Sequence, residues 1–129
     1  MSLKMVNTEE APKAIGPYSQ AVRAGDLLFC SGQLPIDPAT GDLMLFDGDA
    51  AKQARLVLDN LRAVLESEGL GFNRVVKTTI YLSDMENFAT VNEVYATYFE
   101  AYKPARACVA VKTLPKDVAI EIDAIAYIS

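Results

Sequence analysis

Residues 104–127, PARACVAVKTLPKDVAIEIDAIAY, carry the strongest structural signal in this sequence. Segments 105–111 and 118–127 alternate with the period of two that is typical of half-buried strands. The segment between them, LPKD at 114–117, is rich in turn-forming residues. The pattern therefore predicts a β-hairpin made of the last two strands.

The register of this predicted hairpin follows from matching its apolar faces. Apolar residues then pair with apolar ones, and Cys108 stands opposite Glu121, because a slip of one residue would bury the charges. In this register Arg106 and Glu121 lie diagonally on one face, about 7 to 8 Å apart at Cβ. A guanidinium fits a carboxylate, and a glutamate can orient or deprotonate a water. An ordinary ion pair between Arg106 and Asp123 on a solvated face would explain the same residues.

The composition excludes several kinds of active site. The chain has no histidine and two cysteines, Cys30 and Cys108, so it lacks the residues for a Ser-His-Asp triad or a zinc site. Both cysteines lie in apolar, strand-like contexts, where packing is the expected role. The formal net charge of -5, without a basic cluster, argues against nucleic-acid binding. Neither a P-loop nor a GxGxxG string occurs, so we expect chemistry without nucleotide, metal or cofactor.

Length and hydropathy indicate one domain spanning residues 1–129. A chain of this length buries roughly two-thirds of its unfolded surface and folds without staples. The sequence has no long apolar run at its start and no apolar stretch near twenty residues. We therefore expect no signal peptide, no membrane span and a cytoplasmic location.

The remaining segments complete the order β-β-α-β-α-β-β. Residues 1–13 are polar and contain a proline, so a loosely held arm is expected. Asp47 or Asp49 is expected to cap the first helix, and Gly69 to end it. The predicted strands before the hairpin are 19–23, 27–31 and 74–82, and the predicted helices are 50–68 and one that begins near Ser83-Asp84.

Two amphipathic helices require one apolar face, so both are expected on the same side of a mixed sheet. The other face, with Arg106 and Cys108, would then stay uncovered, which suggests association with another copy of the chain. Gly32, at the end of the second strand, predicts a bulge or a close approach by another group. Asn92 is expected to be a surface amide unless a neighbouring chain covers it.

Several separated motifs resemble the Rid family of reactive-intermediate (enamine/imine) deaminases, also called the YjgF superfamily. They are AIGPYSQAV at 14–22, SGQLPIDPATG at 31–41, VVKTTIYLSDMENFATVNEVY at 75–95, PARACVAV at 104–111 and LPKDVAIEIDAIA at 114–126. The resemblance covers nearly the whole chain. It implies a chorismate-mutase-like α+β fold, assembled as a homotrimer with clefts between subunits.

The resemblance also implies an activity, that of a 2-iminobutanoate/2-iminopropanoate deaminase. Such a hydrolase converts 2-imino acids and their 2-enamino tautomers, such as 2-aminoacrylate, to 2-oxo acids and ammonia, which is a form of metabolite damage control. By family match, Arg106 holds the substrate carboxylate and Glu121 positions a water. Asp123 stands where many relatives have a glutamate. The same match places further residues in the cleft, namely Tyr18, Ser31, Gly32, Asn92 and Cys108.

Three other functions compete with deamination. A regulatory protein that binds 2-oxo acids could use the same arginine-lined cleft without turnover. Ribonuclease or translation-inhibitor activity, attributed to some relatives, is disfavoured by the acidic charge balance and the absence of histidine. Chorismate-mutase-type isomerisation would require more cationic groups around a dicarboxylate than this sequence provides.

Overall fold

A six-stranded sheet organises the computed structural model, which describes residues 2–128. Its strands are β1 Leu3–Val6, β2 Ala21–Ala24, β3 Leu27–Gln33, β4 Val75–Leu82, β5 Ala105–Ala110 and β6 Ile120–Tyr127. The α-helices are α1 Ala50–Ser67 and α2 Phe88–Tyr98. The strand order is β1-β2-β3-β6-β4-β5, with β4 and β5 parallel and the other neighbours antiparallel. The predicted α+β class with a mixed sheet is confirmed.

Both helices cover the same face of the sheet, as predicted. Alternate residues of β6 are buried beneath them, whereas Glu121, Asp123 and Ile125 are half-buried on the other side. No α-helix among the described residues covers the other face. Within residues 2–128, neither helix is long and apolar enough to cross a membrane. The core includes Leu28, Leu58, Leu61, Ile80, Val91 and Ile122.

The predicted hairpin of the last two strands is wrong. Strand β4 lies between them, pairing in parallel with β5 and antiparallel with β6. Cys108 therefore stands opposite Ile80, not opposite Glu121. Alternation indicates which residues share a face, but it does not identify the neighbouring strand. Here an earlier strand with the same period of two occupies the position between β5 and β6.

The N-terminal arm is more ordered than expected. Leu3–Val6 form β1, which pairs with β2 and raises the number of strands from five to six. Val6 is buried in the core. The predicted arm began at residue 1, which lies outside the described residues. The alternation of apolar and basic residues at Leu3, Lys4 and Met5 is too short to distinguish a strand from a polar arm.

The boundaries of the first helix were predicted closely. The Asp49 carboxylate accepts a hydrogen bond of 3.1 Å from the backbone N–H of Lys52, which caps α1. Gly69, at φ 73°, ends the helix in the left-handed conformation that glycine adopts without strain. In β4, a register shift between Val75 and Lys77 places Val75 in the core and leaves Val76 exposed.

Candidate active site

Arg106 lies at the open edge of the sheet on the helix-covered face, so the prediction that placed Arg106 and Cys108 on the uncovered face is wrong. It pairs in register with Thr78 of β4, and residues paired across adjacent strands point to the same face. The Thr78 hydroxyl is buried and lies 2.7 Å from the Tyr95 hydroxyl of α2. Strand β5 is the last strand of the sheet, and Arg106 is exposed there although Tyr95 of α2 lies beside it.

Asn92 holds the Arg106 guanidinium. The Nη1 atom of Arg106 donates a hydrogen bond of 2.6 Å to Oδ1 of Asn92. The guanidinium carbon also lies 5.0 Å from the Tyr95 ring centroid and 5.6 Å from that of Phe88, within cation–π range. Asn92 is therefore a partner of Arg106, rather than the isolated surface amide predicted from sequence. The alternative explanation, an ion pair between Arg106 and Asp123, is wrong, because the two side chains lie on opposite faces of the sheet.

Cys108 follows Arg106 on the same face of β5. Burial raises the pKa of its thiol, and the nearby Arg106 opposes that rise. Burial raises the pKa of the other cysteine, Cys30, to about 12, in keeping with the predicted packing role. Neither cysteine forms a disulfide. We call Asn92, Arg106 and Cys108 the arginine cluster.

Glu121 lies on the opposite face. It pairs with Tyr81 of β4, three residues after Thr78, and an odd separation along a strand reverses the face. Burial, and secondly the charge of Asp123, raise the pKa of the Glu121 carboxyl. The Tyr81 hydroxyl donates a hydrogen bond of 3.2 Å to the Asp123 carboxylate. The hydrogen-bond partner of the Asp123 carboxylate is thus a tyrosine hydroxyl and not an arginine.

Gly32 provides the space that the Glu121 side chain occupies. A Cβ atom added to Gly32 would overlap Oε2 of Glu121 and lie 2.8 Å from its Cδ. The ladder between β3 and β6 shifts register between Cys30 and Gln33, so the predicted bulge is confirmed. The bulge and the missing side chain together let the carboxylate lie against the backbone.

Ser31 connects this region to the segment that carries Tyr18. Its hydroxyl donates a hydrogen bond of 2.6 Å to the Ser19 carbonyl, and its backbone N–H donates one of 2.9 Å to the Gln20 carbonyl. The Tyr18 side chain is 55% exposed, so its ring is available to a neighbouring molecule. We call Ser31, Gly32 and Glu121 the glutamate cluster.

Gln20 is a buried residue that sequence analysis did not single out. Its side-chain amide accepts from the Thr8 N–H at 2.6 Å and donates to the carbonyls of Thr8, Ala11 and Pro12. These bonds fix residues 8–12 against the segment that includes Tyr18. A lone glutamine between Ser19 and Ala21 gives no pattern by which this role could be recognised.

The seven predicted site residues thus fall into two groups. Asn92, Arg106 and Cys108 lie together on one side of the sheet, whereas Ser31, Gly32 and Glu121 lie together on the other, with Tyr18 linked to Ser31 through Ser19. The predicted convergence of Arg106 and Glu121 within one chain is wrong. In residues 2–128, no group of three His, Cys, Asp or Glu side chains could hold a metal ion.

The comparisons with known proteins define the class. The family model described as Endoribonuclease L-PSP matches residues 8–128. The 2-iminobutanoate/2-iminopropanoate deaminase of Escherichia coli K12 is 48% identical over 126 residues, covering 95% of this chain and 96% of that one.

Two solved structures superpose on nearly the whole chain. YyfA of Yersinia pestis, described as a protein of unknown function of the conserved Rid family, superposes with a TM-score of 0.94 at 44% identity, covering 98% of this chain and 100% of that one. Escherichia coli TdcF with bound serine superposes with a TM-score of 0.91 at 45% identity, covering 98% of each chain. The fold is that of small α+β proteins with two helices on a mixed six-stranded sheet. The chain belongs to the Rid (YjgF) family, whose family model carries the endoribonuclease L-PSP description.

Proposed function

We propose that this protein hydrolyses 2-imino acids and their 2-enamino tautomers to 2-oxo acids and ammonia, at a site formed between two copies of the chain. The observation that carries the proposal is the position of Arg106 and Glu121 on opposite faces of one sheet. An anchor and a base on opposite faces act on one small molecule only if the arginine cluster of one copy meets the glutamate cluster of another.

The uncovered face supports such an assembly. Phe29 and Val109 are both 43% exposed there, and Tyr127 is 41% exposed. Apolar side chains that share one face favour burial against a partner. A contact that joins two different surfaces is heterologous, and such contacts close into rings when the rotation permits. We infer a homotrimer, the ring that the family resemblance implies.

The arginine cluster suits the carboxylate of a 2-imino acid. Arginine presents a rigid fork that binds a carboxylate through two parallel hydrogen bonds. Asn92 uses one donor, on Nη1, and holds the plane of the guanidinium. The aromatic rings of Tyr95 and Phe88 restrict the group further. Such a preoriented guanidinium loses little freedom when the substrate binds.

The glutamate cluster suits the hydrolytic step. A protonated C=N carbon is already electrophilic, so a water held by Glu121 can add to it as the carboxylate takes one proton. The carboxyl then gives that proton to the nitrogen, the C–N bond breaks and ammonia leaves, while the hydroxyl loses its proton to the Glu121 carboxylate and becomes the new C=O group. A carboxyl with a raised pKa takes up and returns a proton more readily than an ordinary glutamate near neutral pH. The relatives add support, since one is named as an imine deaminase and another holds serine, a small amino acid.

A direct assay tests the proposal. An amino-acid oxidase generates the imine, and the rate of 2-oxo acid formation is compared with and without the protein. We expect acceleration over spontaneous hydrolysis, and sedimentation is expected to show a trimer at micromolar concentration. Unchanged imine hydrolysis would contradict the enzyme, and binding of 2-oxo acids without turnover would instead support a regulatory protein. A monomer would contradict the shared site.

A further inference from the structure

Two buried amide side chains lie on the apolar face of α1. Gln53 and Asn60 are 1% and 2% exposed, and seven residues, about two helical turns, separate them, so they lie on the same side of the helix. Val57 and Leu61, on that side as well, are apolar and fully buried. Burying an amide is costly unless its polar atoms form hydrogen bonds. The bonds of these two side chains therefore indicate which segments they stabilise.

Asn60 fixes the segment that follows Gly32. Its Nδ2 atom donates hydrogen bonds of 3.1 Å to the Leu34 carbonyl and 2.8 Å to the Ile36 carbonyl. Leu34 is two residues after Gly32, whose missing side chain provides the space for the Glu121 carboxylate. Asn60 therefore holds in place the backbone against which that carboxylate lies.

Gln53 fixes the segment that precedes Glu121. Its Oε1 atom accepts a hydrogen bond of 2.8 Å from the Ala119 N–H, and its Nε2 atom donates one of 2.9 Å to the Leu45 carbonyl. The Ala119 carbonyl accepts a hydrogen bond of 3.1 Å from the Ser83 N–H, so both backbone polar groups of Ala119 are bonded. Because Ala119 is two residues before Glu121, Gln53 sets the position at which the chain enters β6.

Strand pairing supports Glu121 on one side more than on the other. The ladder between β3 and β6 ends where Gln33 pairs with Ile122. Glu121, one residue earlier in β6, lies beyond that ladder and pairs with β4 instead. On the β3 side, the position of Glu121 therefore depends on the two segments that the amides of α1 hold.

We propose that Gln53 and Asn60 are positioning residues for the hydrolytic step, because they fix the two segments between which the Glu121 carboxylate lies. The inference rests on the proposed function, in which Glu121 holds the attacking water. The space beside Gly32 is narrow, since an added Cβ would lie 2.8 Å from Cδ of Glu121. A displacement of about 1 Å at a reacting group lowers a rate by about 100-fold. The two amides thus affect the rate through Glu121, and not through the Arg106 anchor of the neighbouring copy.

Apolar side chains of similar shape test the two amides. Gln53→Met and Asn60→Leu nearly conserve the volume in the core and remove the hydrogen bonds. Val57→Ala is the matched control, because Val57 lies between the two amides on the same face of α1 and is fully buried. Its substitution destabilises the core by leaving a cavity, but it removes none of the hydrogen bonds to the two segments.

Rate, binding and the titration of Glu121 are measured at a temperature where every variant is folded. We expect Gln53→Met and Asn60→Leu to lower kcat for the imine of alanine by about 10 to 100-fold, because the base is displaced. The Kd for pyruvate should stay within about threefold, since the arginine cluster is intact. In carbon-13 NMR of glutamate-labelled protein, the raised pKa of Glu121 should fall towards its ordinary value of 4.5 as the carboxyl leaves its buried position. Val57→Ala should change none of the three.

Mixed assemblies identify the cluster through which the amides act. Gln53→Met refolded together with Arg106→Ala should regain about a quarter of the wild-type kcat, because about one cleft in four combines an intact Arg106 with an undisturbed glutamate cluster. Gln53→Met refolded with Glu121→Gln should gain nothing, because every chain then carries a defective glutamate cluster. A general loss of stability would not produce this difference between the two mixtures.

An unchanged kcat and an unchanged Glu121 pKa in both amide variants would overturn the proposal. A loss of kcat in Val57→Ala as large as theirs would overturn it too, as would equal recovery in the two mixtures. If the wild-type protein hydrolysed no imine, the deaminase proposal would fail. The Glu121 titration would then decide by itself whether the two amides position the carboxylate, so the outcomes for the two proposals are distinguishable.

Discussion

Arg106 and Glu121 lie on opposite faces of the same sheet, because their cross-strand partners on β4, Thr78 and Tyr81, are three residues apart. Side-chain direction alternates along a strand, so no rotamer change brings the two groups together through the sheet. If both act on one substrate molecule, each must come from a different copy of the chain. This requirement distinguishes a shared site from two unrelated surface clusters.

Mixing two inactive variants is expected to restore activity. Arg106→Ala removes the anchor and Glu121→Gln removes the base, so each variant alone should be inactive. In a ring assembled from equal amounts of both, about one cleft in four combines an intact arginine with an intact glutamate, because the two residues come from neighbouring copies. Co-refolded mixtures should therefore regain about a quarter of wild-type kcat, measured with the imine assay.

Two controls accompany the mixing experiment. Each variant refolded alone should stay inactive, and the doubly substituted chain mixed with either single variant should stay inactive as well, because no cleft in those mixtures combines an intact Arg106 with an intact Glu121. An absence of recovery in mixtures shown by mass spectrometry to contain both variants would contradict the shared site.

Changes at Asn92 should act through Arg106. Asn92→Ala removes the acceptor that orients the guanidinium, so KM should rise with little change in stability. Asn92→Asp should raise KM further, because a carboxylate at hydrogen-bond distance from Arg106 competes with the substrate carboxylate. Arg106→Lys should fail nearly as severely as Arg106→Ala, since lysine cannot form a bidentate grip. Steady-state kinetics with one imine would measure all four variants, and equal KM values for the two Asn92 variants would argue against competition.

Gly32→Ala should displace the Glu121 carboxylate. The added methyl would overlap Oε2, and the flexible glutamate would rotate away more easily than the backbone would shift. We expect kcat to fall by about 10 to 100-fold, a substantial part of the contribution typical of an acid–base group, while the protein remains folded. Gly71→Ala is a useful comparison, because Gly71 has an extended backbone that any residue adopts, and the nearest atom to an added Cβ is the Asn73 side-chain oxygen at 3.1 Å. Full activity in Gly32→Ala would show that the position of Glu121 is not critical.

The acidic limb of the pH–rate profile should report the Glu121 carboxyl. A base must be deprotonated, so activity should rise through a pKa above the ordinary value of 4.5. Asp123→Asn removes the negative charge beside Glu121 and should move this limb to lower pH. Tyr81→Phe keeps the charge of Asp123 and is the control. Glu121→Gln should lower kcat by about 100 to 10,000-fold and leave no such limb. If the acidic limb did not move in Asp123→Asn, the group that titrates there would not be Glu121.

The same shift predicts the direction of a stability change. Between the unfolded and the raised folded pKa of Glu121, the folded state binds more protons, so stability falls as pH rises through that window. At pH values above the folded pKa, Glu121 is charged in both states, and the cost of burying that charge still lowers the stability of the folded protein. Glu121→Gln should therefore be at least as stable as the wild type at about pH 7. Thermal unfolding over about pH 4 to 8 would test this, and a markedly less stable variant would indicate a structural role for the carboxylate.

Local features of the fold could be predicted from the sequence, but the neighbours of its strands could not. The helix cap at Asp49, the stop at Gly69 and the bulge at Gly32 depend on residues close together in the chain, whose conformational preferences are short-range. The placement of β4 between β5 and β6 depends on contacts between distant segments. Alternation in each strand is compatible with several sheet orders, so the hairpin prediction followed proximity in sequence and was wrong.

For the site, too, the chemistry of single residues could be predicted from the sequence, but their arrangement in space could not. Side-chain chemistry pointed to Arg106 and Glu121 as the groups with catalytic potential, and motif resemblance added Asn92 and Gly32. Their arrangement depends on the sheet order, so the predicted meeting of the two charges failed with the predicted hairpin. Asn92 gained its role only when α2 was placed beside the edge strand, since a helix position alone does not identify a cross-element partner.

The short strand β1 has a consequence for handling the protein. Leu3 and Met5 are 71% and 75% exposed, and β1 covers the backbone edge that β2 would otherwise present to solvent. An uncovered strand edge is a template for pairing with other chains. Shortened expression products that lack residues 2–6 would leave that template open, so aggregation during purification would report loss of the edge cover rather than a defect of the catalytic residues.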